Sequence, residues 1–157
     1  MNVLSVLRTS TVLLKPTLEQ AQSLTRLADA SSILWNMANY QRRQAFYEYR
    51  KVPSHFEQCG SFKATEAFRI LGTCKAQALL FKLHEAWQSF WALLRLKAKG
   101  KFPSHIRKIH PPKYWKRNGK RELKGFYVRN DGWRMDEESL SLARKLKIPY
   151  LCGQLWV

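Results

Sequence analysis

The sequence predicts an α+β fold, a small and incomplete β-barrel or sheet with a block of helices inserted after its first strand. Three observations predict it. The first fifteen residues alternate as a strand does, helical periodicity fills the middle of the chain, and turn-rich segments with strand patterns return after Pro103. We therefore divide the chain into residues 1–15, 16–102 and 103–157.

The first strand ends where the helical block begins. Residues 3–15 alternate and are rich in Val, Leu and Thr, which favours a strand that Pro16 terminates. Thr17 is then placed to cap a helix, and Gln20, three residues later, completes a capping box. Apolar residues at three- and four-residue steps predict a first long helix, in which residues 30–32 offer a point for a break.

A second long helix follows a connection. We interpret residues 52–62 as that connection and residues 64–71 as a short helix that Gly72 interrupts. The next stretch, "KAQALLFKLHEAWQSFWALLRLKAKGK", carries an apolar stripe in which Trp87, Phe90 and Trp91 are expected to pack between helices. Gly100 fits the residue that ends this helix after a Lys-rich last turn.

The segment after Pro103 has the features of a β region. Asn118-Gly119 predicts a hairpin turn, because both residues tolerate a positive φ, and "RELKGFYVRN" reads as a strand. Residues 139–142 alternate as a strand does, although the acidic residues 136–138 could instead start a short helix; we favour the strand. The last residues, "GQLWV", read as a further strand, after which a small barrel would still need strands to close.

The charge balance indicates an anionic partner. The chain has 28 Lys and Arg against 11 Asp and Glu, a formal net charge of +17, and such self-repulsion destabilises a compact state unless counter-charge arrives. A hydrophobic content of 45% and an aromatic content of 13% nevertheless exclude a disordered chain. Nucleic acid is the first candidate partner and an anionic membrane surface the second.

No metal, cofactor or membrane anchor is expected from the sequence. The three cysteines are widely spaced, which is typical of reduced thiols, and no Cys or His pairs have the spacing of a zinc site. The apolar runs are shorter than a transmembrane helix requires, and the N-terminus lacks the layout of a signal peptide. We expect a cytoplasmic protein associated with the nucleoid.

The order of the motifs resembles the TnpB proteins, the OrfB group encoded by small insertion sequences. In "LLKPTLEQAQSLTRLADASSILWNMANYQRRQAFYE", a strand leads into a P-T-x-E-Q helix start and then a W-N-x-x-N-x-x-R helix, as in that family. "AQALLFKLHEAWQSFWALLRLKAKGK" is similar to the second helix of the family. "PPKYWKRNGKRELKGFYVRND" and "KIPY" are similar to the β segment that follows, particularly in archaeal members.

The resemblance implies a fold and a function. Full-length members are RNA-guided DNA endonucleases whose N-terminal half is a β-barrel "wedge" interrupted by a helical recognition lobe, often described as helix-turn-helix. Their catalytic half is a RuvC-like nuclease with a zinc-binding insertion, and nothing in this sequence resembles it. We therefore expect an N-terminal module that binds DNA, guide-type RNA or both, is not an enzyme by itself, and can act with a separate nuclease half.

Two sets of residues are candidate nucleic-acid contacts. The first lies in the basic segment after the helices, where bases can neutralise phosphates and an aromatic ring can stack. Its members are Lys113, Trp115, Lys116, Arg117, Lys120, Arg121, Lys124 and Arg129. The alternative is a solvated hairpin whose Trp115 and Tyr127 pack in a core.

The second set lies on the first long helix. Asn36, Tyr40 and Arg43 recur at helical steps, Arg42 adjoins them, and Asn and Arg side chains can read adenine and guanine in a groove. The alternative is a surface helix with both arginines in water. The relatives of the family read a short DNA motif beside their target with this region.

The acidic residues do not suggest a catalytic site. A two-metal nuclease needs several converging carboxylates, and the one local cluster, Asp131 with residues 136–138, reads as a loop or helix start. The alternative to nucleic-acid binding is an inert or repurposed transposase remnant that acts as a basic, helical interaction protein.

Overall fold

The computed structural model describes residues 11–142 and 146–151. A short strand β1 (Leu13–Leu14) precedes three helices: α1 (Leu18–Tyr47), α2 (His55–Phe62) and α3 (Glu66–Ala98). This order confirms the α+β class and the position of the helices after the first strand. The predicted strand residues 3–10 and the predicted final strand "GQLWV" lie outside the described residues.

The predicted capping box of α1 is confirmed. The backbone N–H of Gln20 donates to Thr17 Oγ1 at 3.3 Å, and the backbone N–H of Thr17 donates to Gln20 Oε1 at 3.0 Å. The suggested break at residues 30–32 is absent: α1 continues through them, and Ser31 and Ser32 are buried within it.

Helix α2 corrects the prediction of a connection at residues 52–62. Ser54 and Glu57 form a second capping box, with Ser54 N–H to Glu57 Oε2 at 2.7 Å and Glu57 N–H to Ser54 Oγ at 3.2 Å. The backbone N–H of Ser54, followed by Lys51, lowers the pKa of Glu57 to about 2. A serine followed three residues later by a glutamate is the sequence signal that was overlooked.

Gly72 and Gly100 set the geometry of α3. Gly72 has φ 74° and ψ 159°, which kinks the helix where the sequence predicted an interruption. At the C-terminus, Lys101 N–H donates to the Leu96 carbonyl at 3.0 Å and Gly100 N–H donates to the Lys97 carbonyl at 3.1 Å. This pair of hydrogen bonds, with Gly100 at φ 66°, is a Schellman motif and confirms the predicted end of the helix.

The core lies between α1 and α3, with α2 packed on α3. The rings of Phe46, Trp87, Phe90 and Trp91 meet at centroid distances of 5.2–5.9 Å, mostly edge to face, which confirms the predicted packing of the last three. The fully buried aliphatic side chains of the core are Leu34, Leu79, Leu80 and Leu83.

The β region is a small antiparallel sheet, which agrees with the coarser part of the prediction, an incomplete barrel or sheet with helices after its first strand. Its order is β1, β6 (Lys147–Leu151), β5 (Ser139–Ser141) and β4 (Arg134–Met135), all antiparallel, and no barrel closes within the described residues. The predicted strand at residues 139–142 is confirmed by β5.

A separate hairpin pairs β2 (Lys116–Arg117) with β3 (Lys120–Arg121). Asn118 at φ 49° and Gly119 at φ 75° form the predicted turn. The longer strand predicted at residues 121–130 is wrong beyond Arg121, because residues 122–129 have no strand partner and instead lie against the helices.

Among the described helices, none is long and apolar enough to span a bilayer.

Candidate nucleic-acid interface

Side chains along one face of α1 bind the backbone of the segment that follows the helices. Asn39 Nδ2 and Arg43 Nη1 both donate to the Pro112 carbonyl, at 2.8 and 3.0 Å. Trp35 Nε1 donates to the Lys113 carbonyl at 3.0 Å. These contacts join elements more than sixty residues apart in sequence, so they fix the basic segment to a rigid helix.

The same face continues toward the N-terminus of α1. Asn36 accepts from the Trp115 N–H at 2.7 Å and donates to the Trp115 carbonyl at 3.3 Å. Ser32 Oγ donates to the Glu122 carbonyl at 2.7 Å. We call this set of backbone-binding side chains the α1 clamp: Ser32, Trp35, Asn36, Asn39 and Arg43.

Trp115 lies in the core and not on the surface. It is buried and stacks on Trp35 with a centroid distance of 4.5 Å and an interplanar angle of 15°. Because Trp35 covers one face of the ring and the side chain is buried, Trp115 is not available to stack on a base. The prediction of stacking is therefore corrected, and the alternative of a packed Trp115 holds. Tyr127, the other aromatic residue of that alternative, is half exposed.

Arg42 also lies inside the molecule. Its side chain is 1% exposed and its Nε donates to Gln58 Oε1 at 2.6 Å. Burial lowers the pKa of Arg42 to about 10, so the guanidinium remains charged near neutral pH. A side chain enclosed between α1 and α2 cannot reach a phosphate, and Arg42 is removed from the candidate contacts.

The residues of α1 that were predicted to contact bases thus fall into two groups, those bonded within the fold and those exposed. The amide of Asn36 is engaged by Trp115, and Arg43 is held by Pro112, whereas Tyr40 is 57% exposed. All four named residues of the W-N-x-x-N-x-x-R motif use their polar atoms in hydrogen bonds within the fold. The motif signals how α1 holds its neighbours, and it does not place Asn36 in a groove.

The hairpin from Lys116 to Arg121, called the basic hairpin below, presents exposed cations. All four of its Lys and Arg side chains are exposed. Arg121 pairs with Asp29 of α1 at 2.7 and 3.3 Å, which anchors the hairpin, and Arg117 pairs with Glu122 at 3.3 Å. Among the described residues, no carboxylate lies within 4 Å of Lys116 or Lys120.

The bases around the basic hairpin extend the positive surface. Lys113 is exposed without a carboxylate within 4 Å in the described part of the chain, Lys124 lies 3.6 Å from Glu122, and Arg129 lies 3.4 Å from Asp131. Between residues 101 and 134 the sequence has eleven Lys and Arg against two acids. The structure therefore concentrates uncompensated charge in this segment.

A cluster of tyrosines adjoins the basic hairpin. The Arg43 guanidinium lies 5.1 Å from the centroid of Tyr114 and 5.9 Å from that of Tyr47, and Lys116 Nζ lies 5.7 Å from Tyr114. Tyr114 and the exposed Tyr40 border a shallow depression of about 480 Å³, and Tyr47 is also exposed. We call Tyr40, Tyr47 and Tyr114 the tyrosine platform.

Tyr47 was not among the predicted contacts. Its signal was present in the sequence, because Tyr40, Arg43 and Tyr47 recur at the spacing of one helical face. The prediction placed Asn36 on that face, where its amide is bonded to the backbone of Trp115.

The acidic residues near the sheet build a turn. Asp136 Oδ1 accepts from the backbone N–H groups of Glu138 and Ser139 at 3.1 and 2.7 Å, and Lys147 Nζ lies 2.9 Å from its Oδ2. The Lys147 ammonium and then the Ser139 hydroxyl hold the pKa of Asp136 well below its ordinary value. In the described part of the chain, no three His, Cys, Asp or Glu side chains converge as a metal site would require.

Comparison with known proteins identifies a relative. The chain is 41% identical over 140 residues, 88% of its length, to the TnpB-like protein ORF457 of Acidianus two-tailed virus. The chain spans about 30% of the length of that relative. No protein-family model matches the sequence.

Proposed function

We propose, from the premise that this chain is a homologue of part of a TnpB-like protein, that it is a nucleic-acid-binding module. Its ligand is DNA, guide-type RNA or both, bound through phosphates on the basic hairpin and its flanking bases. A location at the nucleoid follows from this proposal. The resemblance to the N-terminal half of guided nucleases and the net charge of +17 both support it.

The observation that carries the proposal is the fixed position of the basic hairpin. The α1 clamp and the Arg121–Asp29 pair hold the hairpin against a long helix while its cations face outward. A cationic surface that is already ordered loses little conformational entropy on binding. A solvated tail of the same charge would need no such set of backbone contacts.

The tyrosine platform gives the module a second mode of contact. Exposed rings beside cations can stack on unpaired bases while the cations neutralise the flanking phosphates. We propose that contact with bases occurs here, through Tyr40 and its neighbours, rather than through Asn36. Phosphate contact by Lys113, Lys124 and Arg129 extends the same surface.

The dependence of binding on salt tests the proposal. Binding of a labelled oligonucleotide is measured by fluorescence anisotropy at rising sodium chloride, and we expect a slope of about −0.9 per phosphate neutralised on duplex DNA and about −0.7 on single strands. The variant Lys116→Gln/Arg117→Gln/Lys120→Gln should make the slope shallower by about 1 for each base removed.

A matched variant distinguishes the effect of the hairpin bases on the salt slope from the effect of total charge. Three exposed bases lie outside the hairpin: Lys15 follows β1, Lys63 follows α2, and Arg69 lies in the first turn of α3. Changing these three to Gln removes the same charge and should leave the slope nearly unchanged. Equal losses from both variants, or binding that ignores salt, would contradict the proposal.

We further propose that this chain alone does not cut nucleic acid and that any cleavage depends on a separate nuclease half. The turn structure of Asp136 supports this, because its carboxylate is used by backbone donors and Lys147. Incubating the purified chain with DNA and Mg²⁺ or Mn²⁺ tests it, and metal-dependent cleavage would overturn it.

A further inference from the structure

A pocket lined by aromatic residues lies away from the basic hairpin, between α2, α3 and residues 127–129. Its volume is about 460 Å³. Three aromatic side chains on its walls are unusually exposed: Phe56 of α2 at 76%, Phe81 of α3 at 46%, and Tyr127 at 40%. Because the rings come from three separate elements, they enclose a space and do not form a single apolar stripe on one helix.

His55, which also lines this aromatic pocket, contacts two of its aromatic walls. His55 lies 4.0 Å from Phe56 and 5.2 Å from Phe81, measured between ring centroids, and contacts His84 at 4.9 Å. Cys59, on the turn of α2 that follows His55, also lines the pocket. The rings of Phe56 and Phe81 thus contact His55 while part of each remains open to a ligand.

The rim of the aromatic pocket is cationic. Lys82 and Arg129 line it, and no Asp or Glu is among the described residues that line it. Lys82 pairs with Glu85 at 2.8 Å, and Arg129 contacts Gln77 at 3.3 Å and Asp131 at 3.4 Å. These pairs are exposed and therefore weak, so an incoming anion can exchange for them.

We propose that this pocket receives an unpaired base of a single-stranded nucleic acid, with the adjoining phosphate on Lys82 and Arg129. Aromatic walls fit the flat face of a base, and the cationic rim fits its phosphate. A purely apolar occupant would leave both cations unused. The inference rests on the proposed function and adds to it a ligand class, because a base inside a duplex cannot enter the pocket.

The position of the pocket along the chain supports this occupant. The segment that carries the basic hairpin continues directly to Tyr127 and Arg129, with the exposed Lys124 between the hairpin and Tyr127. A strand that follows these bases would pass from the hairpin to the pocket without leaving positive surface.

The test compares three ligands of equal length: a single strand, a blunt duplex, and an abasic phosphodiester chain. In the full chain, Phe56→Leu/Phe81→Leu keeps apolar bulk but removes both rings. We expect it to weaken single-strand binding by roughly 5- to 150-fold, the range for one lost stacking contact, and to leave the other two ligands unchanged. Phe56→Tyr/Phe81→Tyr should retain single-strand affinity.

The outcomes separate this inference from the proposed function. If the leucine variant weakens no ligand, or weakens all three equally, the base pocket is wrong. If in that case the hairpin variant Lys116→Gln/Arg117→Gln/Lys120→Gln still weakens all three, the proposed function stands alone. A wild-type chain that binds none of the three ligands overturns both.

Discussion

Asn39 joins three parts of the chain through one buried amide. Its Nδ2 donates to the Pro112 carbonyl at 2.8 Å, and its Oδ1 accepts from Trp87 Nε1 of α3 at 3.0 Å. Because Asn39 and Trp87 are both fully buried, the Trp87 N–H has no water as a substitute partner. This single side chain therefore links α1, α3 and the segment that carries the basic hairpin.

Replacement of Asn39 by Ala should destabilise the protein. The change strands the buried Trp87 Nε1–H, at a cost of about 1–3 kcal/mol in the free energy of unfolding, while the Pro112 carbonyl keeps Arg43 as a donor. Urea unfolding measures it. Gln22→Ala, at an exposed position of the same helix, should stay within about 0.5 kcal/mol of wild type. Equal effects of the two changes would show that the α1 clamp contributes little.

Arg42 and a hairpin base should respond differently to the same substitution. Arg42→Met keeps apolar volume in a buried site and should leave nucleic-acid affinity unchanged, since the guanidinium does not reach the surface. Lys120→Met removes an exposed cation and should make the salt slope shallower by about 1. Circular dichroism checks that both variants fold. A loss of affinity confined to Arg42→Met would contradict the buried position.

Two histidines make stability depend on pH. Burial, and then the Arg42 charge, lower the pKa of His55 and His84 below 6.5 in the folded protein, against a smaller opposing effect of Glu85 on His84. Below that value the unfolded chain binds more protons, so stability is complete above it and falls as the pH decreases through it. Glu57, with a pKa of about 2, adds its own loss only below about 4.5.

Unfolding free energies measured from about pH 8 to about pH 5 test this dependence. The double variant His55→Gln/His84→Gln should flatten the curve over that range. A wild-type curve that is already flat, or one that rises toward acid, would show that the two rings are not held neutral in the fold.

The sequence could not separate Arg42 from Arg43 for a physical reason. The two are adjacent and chemically identical, but a helix turns about 100° between them. Whether one is buried depends on what packs against that side, here Gln58 of α2, an element that the sequence reading missed. In the same way, Asn36 and Asn39 carry the chemistry of base recognition, and only the tertiary fold shows that backbone groups already occupy them.

At the scale of elements, the kink in α3 depends on Gly72. A φ of 74° with a ψ of 159° is a conformation that residues with a Cβ adopt at a cost of about 1–3 kcal/mol. Gly72→Ala should lower the free energy of unfolding by that amount even though the space around it is open.

Gly60 provides the matched control. It lies inside α2, has open space around it and lacks the positive φ of Gly72. Gly60→Ala should therefore be neutral or stabilise by up to about 1 kcal/mol, because alanine favours the helix. Thermal unfolding of the two variants side by side measures the difference, and similar losses at both sites would exclude strain as the cause.

Elements were predictable where local chemistry determines them. The Thr17 cap, the interruption at Gly72, the Asn118-Gly119 turn and the stop at Gly100 each follow from one or two residues. The pairing of the strands was not predictable in this way, because it depends on partners that are distant in sequence. Residues 122–129 illustrate it: their composition favours a strand, yet helices and side chains, not a neighbouring strand, lie beside them.

For the whole molecule, the dominant quantity is uncompensated charge. The described ion pairs are mostly exposed, so each contributes little to stability. The chain of 157 residues has a formal net charge of +17. Salt should therefore act on this protein in two opposite directions: it screens repulsion within the free chain, and it competes with the chain for phosphates.

The Tm of the free chain should rise with added sodium chloride by about 2–4 °C, the shift that about 1 kcal/mol produces in a chain of this size. Over the same range, affinity for an oligonucleotide should fall. The Lys116→Gln/Arg117→Gln/Lys120→Gln chain, with less repulsion to screen, should show a smaller rise in Tm and a shallower loss of affinity. A Tm that falls with salt would mean that local pairs such as Arg121–Asp29 outweigh the repulsion. The charge would then be balanced within the fold, and an anionic partner would not be needed to relieve it.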